Sequence, residues 1–393
     1  MELLARYLER TDRRIYALIR GKDDADVQER LRRALLDLFG PGHGHSQRVV
    51  AIRGDVTRSG LGIARGGLDW LAPQVSEVIH SAASVSFELE GQTARAINVD
   101  GTRRVLEFAE RCHARGALER MSYISTAYIA GDHVGCFSED DLDVGQRFRN
   151  TYEQSKFEAE CLIARSRDQL PITVFRPSII VGERESGWTA SFNVLYWPLR
   201  AFSRGAYAAL PARGDAPVDV VPVDYVADSM FTLSQSRESV GATFHLTAGT
   251  HASSVGELVG LATAFFKRPV PRLIEPSLYV RFVHPLLVRS AADERSRRAL
   301  LRSEIFFPYF AMRSTFDTRR TRVALRGSDV EASPLPDYFE RLIKFALAAE
   351  WGHRRISRAR ATQRSAASFA RTAAHAPRPR QPRSGAAHLV LAE

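Results

Sequence analysis

The chain has 393 residues, 45% of them apolar and 25% charged, enough for one large or two moderate domains with a real core. Its net charge of +10 misleads, because nine arginines and one acid lie from Arg354 onward; the preceding residues are nearly balanced and carry no footprint for specific nucleic-acid binding. No apolar run reaches the roughly 18 residues a membrane span needs. Cys112, Cys136 and Cys161 show no metal spacing, so they read as reduced thiols of a cytoplasmic protein without a metal site.

Residues 2–10 have apolar side chains at helical spacing, and RIYALIR (14–20) is an apolar run bounded by charges, read as a buried strand. An amphipathic helix covers 25–39, a Gly/Pro/His turn 40–44, and QRVVAIR (47–53) is a strand ending in Gly54-Asp55. EVIH (77–80) is a strand running into Ser81-Ala82-Ala83, 99–115 a helix, and RMSYIS (120–125) a strand. After a loop comes a helix bearing Tyr152 and Lys156, then ITVF (172–175) ending at Arg176-Pro177, and short strands at 218–221 and 242–246. Strands alternating with helices predict an α/β fold, a Rossmann-like doubly wound parallel sheet with helices on both faces. Ligands of such sheets bind outside the carboxyl ends of the strands. Arg20, Asp55, Ser81-Ala82-Ala83, Ser125-Thr126 and Pro177-Ser178 all fall there, which indicates a cofactor crevice.

Tyr152 and Lys156, four apart, project from one face of a helical turn. An ammonium beside a phenol favours phenolate, and is expected to pull Tyr152 below the usual phenol pKa of about 10. A phenol so tuned exchanges a proton with a carbonyl oxygen near neutral pH.

Beyond residue 183 the pattern loosens. Aromatic-rich segments at 188–207, 277–290 and 304–316, broken by Pro and Gly, predict a smaller, mainly helical part over the crevice, whose apolar walls suit either core packing or a long aliphatic ligand. The 277–290 segment reads as a buried helix, with a place on a membrane surface as the alternative. The division expected is 1–250 for the nucleotide-binding domain with an insertion at about 183–217, 251–353 for a substrate or lid region, and 354–393 for an unordered Arg-rich tail. That tail reads as a solvated terminus, with contact to an acidic surface, RNA or an anionic membrane as the alternative.

Several stretches together resemble the extended short-chain dehydrogenases/reductases, in the branch of fatty acyl-CoA reductases and thioester reductase domains: GDVTRSGLGI (54–63), WLAPQVSEVIHSAASVSFELEGQTARAINVDGT (70–102), STAYIAG (125–131), YEQSK (152–156), FRPSIIVG (175–182) and VDVVPVDYVAD (218–228). The resemblance runs from about residue 2 to 250. It implies Tyr152 as general acid, Lys156 as its partner and a ribose ligand, and Thr126 rather than Ser125 as the hydroxyl that holds the substrate carbonyl. It implies Arg20 as the residue that meets a 2′-phosphate, hence NADP(H), with Asp55 and Val56 at the adenine. Ser81, Ala82 and Ala83 would lie along the dinucleotide, with Ser125, Pro177, Ser178 and Ile179 beside the nicotinamide. Apart from the resemblance, Asp55 and Asn98 read as turn or helix caps. The activity implied is NADPH-dependent reduction of an acyl thioester, delivered as acyl-CoA or on a carrier protein, to aldehyde or alcohol. Sugar-nucleotide epimerases and 3β-hydroxysteroid dehydrogenases share Tyr-x-x-x-Lys and the sheet, but GDVTRSGLGI and the Phe87-bearing HSAASVSF favour the thioester branch.

One departure stands out. The family opens with a strand and a Gly-rich turn that receives the pyrophosphate, and neither occurs here. The missing strand would sit between those beginning near Arg14 and Glu77. Two expectations follow: a true start upstream and an active enzyme, or a truncated non-catalytic remnant or binding module. The chain as written is expected to bind NADPH weakly.

Overall fold

The computed structural model describes residues 1–192, 194–290 and 293–365. Helix α1 (Glu2–Arg10) leads to β1 (Ile15–Ile19), α2 (Asp24–Phe39), β2 (Val49–Arg53), β3 (Glu77–His80), α3 (Gly91–Ala114), β4 (Arg120–Ile124), α4 (Thr151–Ser166), β5 (Ile172–Pro177), α5 (Val223–Ser234) and β6 (Thr243–Leu246). Helices α2, α3, α4 and α5 each connect two successive parallel strands, and the fold is the predicted Rossmann-like parallel sheet. Strands β3, β4, β5 and β6 form a four-stranded parallel sheet in the order β6-β5-β4-β3. Its register sets Val78 opposite Met121, Tyr123 opposite Val174 and Phe175 opposite Phe244. Strand β5 is buried along its whole length, as a central strand covered on both faces must be.

Strands β1 and β2 pair with each other in parallel, Ala17 opposite Ala51, as a separate two-stranded sheet. Among the described residues no strand pairs with the second edge of β1 or the outer edge of β3. Accordingly β1 is only partly buried, and its Leu18 is exposed. Side chains bridge the two sheets: the Tyr16 hydroxyl donates to Gln74 at 2.8 Å, and Arg13 pairs with Glu77 at 2.8 Å. Helix α1 packs on α5, where Arg6 and Arg10 share Asp228, and its Tyr7 hydroxyl donates to Glu77 at 2.6 Å.

Some expectations on the fold are corrected. Helix α3 starts at Gly91 rather than 99. The strand read at 218–221 is two: Pro217–Val218 runs antiparallel to Ser253–Ser254, and Val220–Pro222 runs parallel to Ile179–Val181. Between them the buried Asp219 turns its carboxylate to the N–H groups of Ala248 and Gly249, at 2.8 and 3.0 Å. The tail is ordered further than composition suggested. Arg358 pairs with Glu2, Glu9 and Glu183, the Trp188 indole donates to the Ile356 carbonyl at 2.9 Å, and Ala361 is buried. Its arginines are held by acids far off in sequence, which composition cannot show; residues 366–393 lie outside those described.

Helices Tyr196–Ser203, Val255–Phe266 and Pro336–Ala348 share one apolar core built on Tyr196, Leu199, Val259, Phe339 and Ile343. This is the mainly helical part, and its core also takes in Val181, Val218 and Val220. The 277–290 segment departs from its reading as a buried helix: Leu278, Val280, Phe282 and Leu286 face solvent.

Candidate active site

The Asn150 side chain caps α4 by accepting from the Glu153 N–H at 3.0 Å, which fixes the first turn on which Tyr152 stands. One turn on, Lys156 is buried and reaches the end of β4, where its ammonium donates to the Ile124 carbonyl at 2.7 Å and to the Tyr123 hydroxyl at 3.0 Å. Past that strand end the Thr126 hydroxyl accepts from the Tyr128 N–H at 3.3 Å, starting a 3-10 turn that closes at Gly131. Gly131 has φ +51, and a Cβ there would come within 2.3 Å of the Arg147 carbonyl, so only glycine fits. The structure thus brings Thr126, Tyr152 and Lys156 to one end of the sheet. The Pro177 carbonyl is beside them, 3.4 Å from the Thr126 hydroxyl. Ser125 is buried there with a hydroxyl that has no partner among the described residues.

The electrostatics correct one expectation. Burial pushes the Tyr152 phenol up to about 12, and the facing Thr126 hydroxyl opposes this only in part. The ammonium that was to lower it is engaged by Tyr123 and Ile124. Burial also pushes Lys156 down, to about 8, against the pull of the Glu160 carboxylate. At neutral pH the site therefore holds a protonated phenol near a charged lysine.

At the other end of the crevice Arg20 and Asp55 stand beyond the ends of the paired strands β1 and β2, and Arg20 is exposed. Burial raises the Asp55 carboxyl, but hydrogen bonds from the Thr57 hydroxyl and N–H and the charges of Arg20 and Arg58 outweigh it, holding the group below its ordinary value. Val56 packs on Gly101 of α3. Ser81 and Ala82 are exposed and Ala83 half-buried in the open loop after β3, while Ile179 lines an apolar cavity with Tyr128 and Tyr309.

Asn98, which the sequence left open between a helix cap and a site residue, also shapes the site, as do Glu153 and Tyr309, which the sequence did not single out. Asn98 joins the loop after β3 to α4, its amide donating to Ser155 at 2.9 Å and accepting from the Ser84 N–H at 2.8 Å. Glu153, fully buried, accepts from the Tyr309 hydroxyl at 2.7 Å and pairs with Arg149. Tyr309 stacks on Phe87 with ring centres 5.3 Å apart, and Phe87 lies 5.7 Å from the Tyr152 ring. Behind them Phe306, Phe310 and Pro198 line both that first small cavity and a second of about 220 Å³ walled by Tyr207, Leu210, Tyr279 and Leu287.

Residues 1–230 match the family described as male sterility protein, an NAD-binding domain. The chain belongs to that family. Male sterility domains form a branch of the extended short-chain dehydrogenases/reductases, a family of NAD(P)-dependent reductases that includes fatty acyl-CoA reductases and terminal reductase domains of peptide synthetases. The chain is 28% identical over 252 residues to a linear gramicidin synthase of Brevibacillus parabrevis, covering 62% of this chain and 5% of that protein. It is 21% identical to probable fatty acyl-CoA reductase 5 of Arabidopsis thaliana, covering 79% and 83% of the two. Among solved structures it resembles the terminal R domain of the myxalamid biosynthetic pathway, with a TM-score of 0.77, 25% identity and coverage of 89% and 88%. The chain spans far less than two thirds of the length of the first curated relatives it matches.

Proposed function

We propose that this male sterility domain reduces an acyl thioester, presented as acyl-CoA or on a carrier protein, with NADPH. The observation that carries the reading is the apolar passage that begins at the catalytic constellation. Tyr152 meets Phe87, Phe87 stacks on Tyr309, and Tyr309 lines the smaller of two apolar cavities, which shares Phe306, Phe310 and Pro198 with the larger. Such walls suit an acyl chain and offer a nucleotide sugar little to bond.

The residues present fit the two ends of the cofactor. The unpartnered Ser125 hydroxyl and the Lys156 ammonium would hold a nicotinamide ribose, with Pro177, Ser178 and Ile179 alongside. Arg20 would meet the 2′-phosphate, Asp55 and Val56 the adenosine, and the open Ser81-Ala82-Ala83 loop the dinucleotide between them. The reduced nicotinamide supplies hydride. Thr126 would hold the thioester carbonyl oxygen. As the carbonyl carbon takes hydride, its π pair moves to that oxygen, which takes the Tyr152 proton. A phenol held up near 12 keeps that proton until then. The hemithioacetal breaks its C–S bond to release thiol and aldehyde. A second hydride would give the alcohol.

The test is NADPH consumption by the full-length protein with acyl-CoAs of several lengths, UDP-sugars and sterols, with Tyr152→Phe as control. Turnover confined to UDP-sugars or sterols would overturn the reading.

A further inference from the structure

The segment Pro276–Leu278, Tyr279–Val283 and His284–Arg289 is one continuous helix with a π turn at its centre. Through a π turn, residues four apart align more closely than in a regular α-helix. Two apolar ridges result. Tyr279, buried, and Val283, half-buried, wall the larger cavity together with Leu287, which is itself 39% exposed. Leu278, Phe282 and Leu286 form the other ridge and are 52%, 53% and 62% exposed. The helix thus carries apolar side chains on two sides, of which protein covers one.

The flanking charge indicates what covers the other. Between 276 and 303 there are six arginines and two acids. Arg281 lies over the Phe282 ring at 5.0 Å, and both it and Arg289 are exposed beside the ridge. Large apolar side chains flanked by cations are the make-up of an interfacial helix on anionic lipid.

We propose that the 276–289 helix docks on an anionic bilayer, with Leu278, Phe282 and Leu286 among the acyl chains and Arg281 and Arg289 at the phosphates. Among the described residues no helix is long and apolar enough to cross a membrane, so the contact is peripheral. Resting here on the thioester reading, the arrangement places the acyl cavity directly beneath the lipid-facing ridge, where a long-chain thioester partitions.

The test is sedimentation of the full chain with phosphatidylcholine vesicles containing about 30% phosphatidylglycerol, and with phosphatidylcholine alone. Binding to the anionic vesicles is expected, weakened about tenfold or more by Phe282→Ser with Leu286→Ser. Arg281→Gln with Arg289→Gln is expected to lower the anionic preference about tenfold. The Arg-rich C-terminal residues are the same in every variant, so dependence on the ridge is the readout, and circular dichroism checks that each variant folds. In a Phe282→Trp variant, brominated lipid should quench fluorescence beyond any quenching of the wild type. Vesicle binding that survives loss of the ridge overturns the proposal, as does absence of the added quenching. So does a ridge that binds only a second copy of the chain or an acidic carrier protein and no vesicle. None of these measurements needs turnover, so a protein that binds vesicles but reduces no thioester would refute the functional reading alone.

Discussion

Lys156 donates a 3.0 Å hydrogen bond to the hydroxyl of Tyr123, a residue of β4 that is itself fully buried. The ammonium is thus enclosed, and burial holds it near 8 in place of its usual 10.5. Between those values the unfolded chain keeps a proton that the folded chain has released, so stability rises with pH across the window; below pH 8 both states are charged and the cost of burial is felt in full. Lys156→Met should remove this dependence. Wild-type stability measured by urea unfolding should gain about 2–3 kcal/mol on the variant between pH 7.5 and 10. Parallel curves would show that Lys156 is not buried as described.

The same pair of shifts sets a pH profile for reduction. Tyr152, held near 12, stays protonated and able to donate throughout the neutral range. The rate should fall as pH rises through about 8, where Lys156 loses its charge. Tyr152→Phe should lower kcat/KM by about 10²–10⁴ with little change in Tm. Equal turnover by the variant would remove the phenol from the mechanism.

How much of this site the sequence discloses depends on range. Most of the strands and the Tyr152–Lys156 spacing are local patterns, and they lie within a residue or two of where they were read. Tyr123, Glu153 and Tyr309 were not found, because their roles come from partners in other elements: Tyr309 reaches Glu153 across 156 positions. The start of α3 was missed for want of a signal, since Glu90 makes no side-chain cap bond. The split of 218–221 was missed because an alternating pattern cannot show that Asp219 is held by the backbone of Ala248 and Gly249.

Arg20 stands exposed beyond the end of β1, near the Asp55 carboxylate. If it meets a 2′-phosphate, Arg20→Ala should cut the preference for NADPH over NADH by about tenfold or more, the worth of one charge-assisted contact. The ratio of kcat/KM for the two cofactors measures this. An unchanged ratio would make Arg20 a surface cation.

Tyr309 joins the C-terminal region to α4 through the buried Glu153. Tyr309→Phe keeps the stacking on Phe87 but takes a donor from that carboxylate. Leaving a buried acceptor short of a partner costs about 1–3 kcal/mol, which should appear as a lower denaturant midpoint with an unchanged slope. No shift would mean that Arg149 alone satisfies Glu153.

Phe310 lines both cavities behind the site, together with Phe306 and Pro198. One chamber is small and the other about 220 Å³, and on the thioester reading a lengthening acyl chain would have to pass this ring. Phe310→Ala should join the chambers. Each methylene newly housed is worth about 0.8 kcal/mol, so kcat/KM should rise up to about fourfold per added CH₂ for chains that outgrow the first chamber, with short chains little affected. The measurement is kcat/KM across a series of saturated acyl-CoAs in wild type and variant, with Tm followed because a half-buried phenylalanine is lost. A variant that loses activity evenly at every length would place the chain elsewhere and leave Phe310 a packing residue.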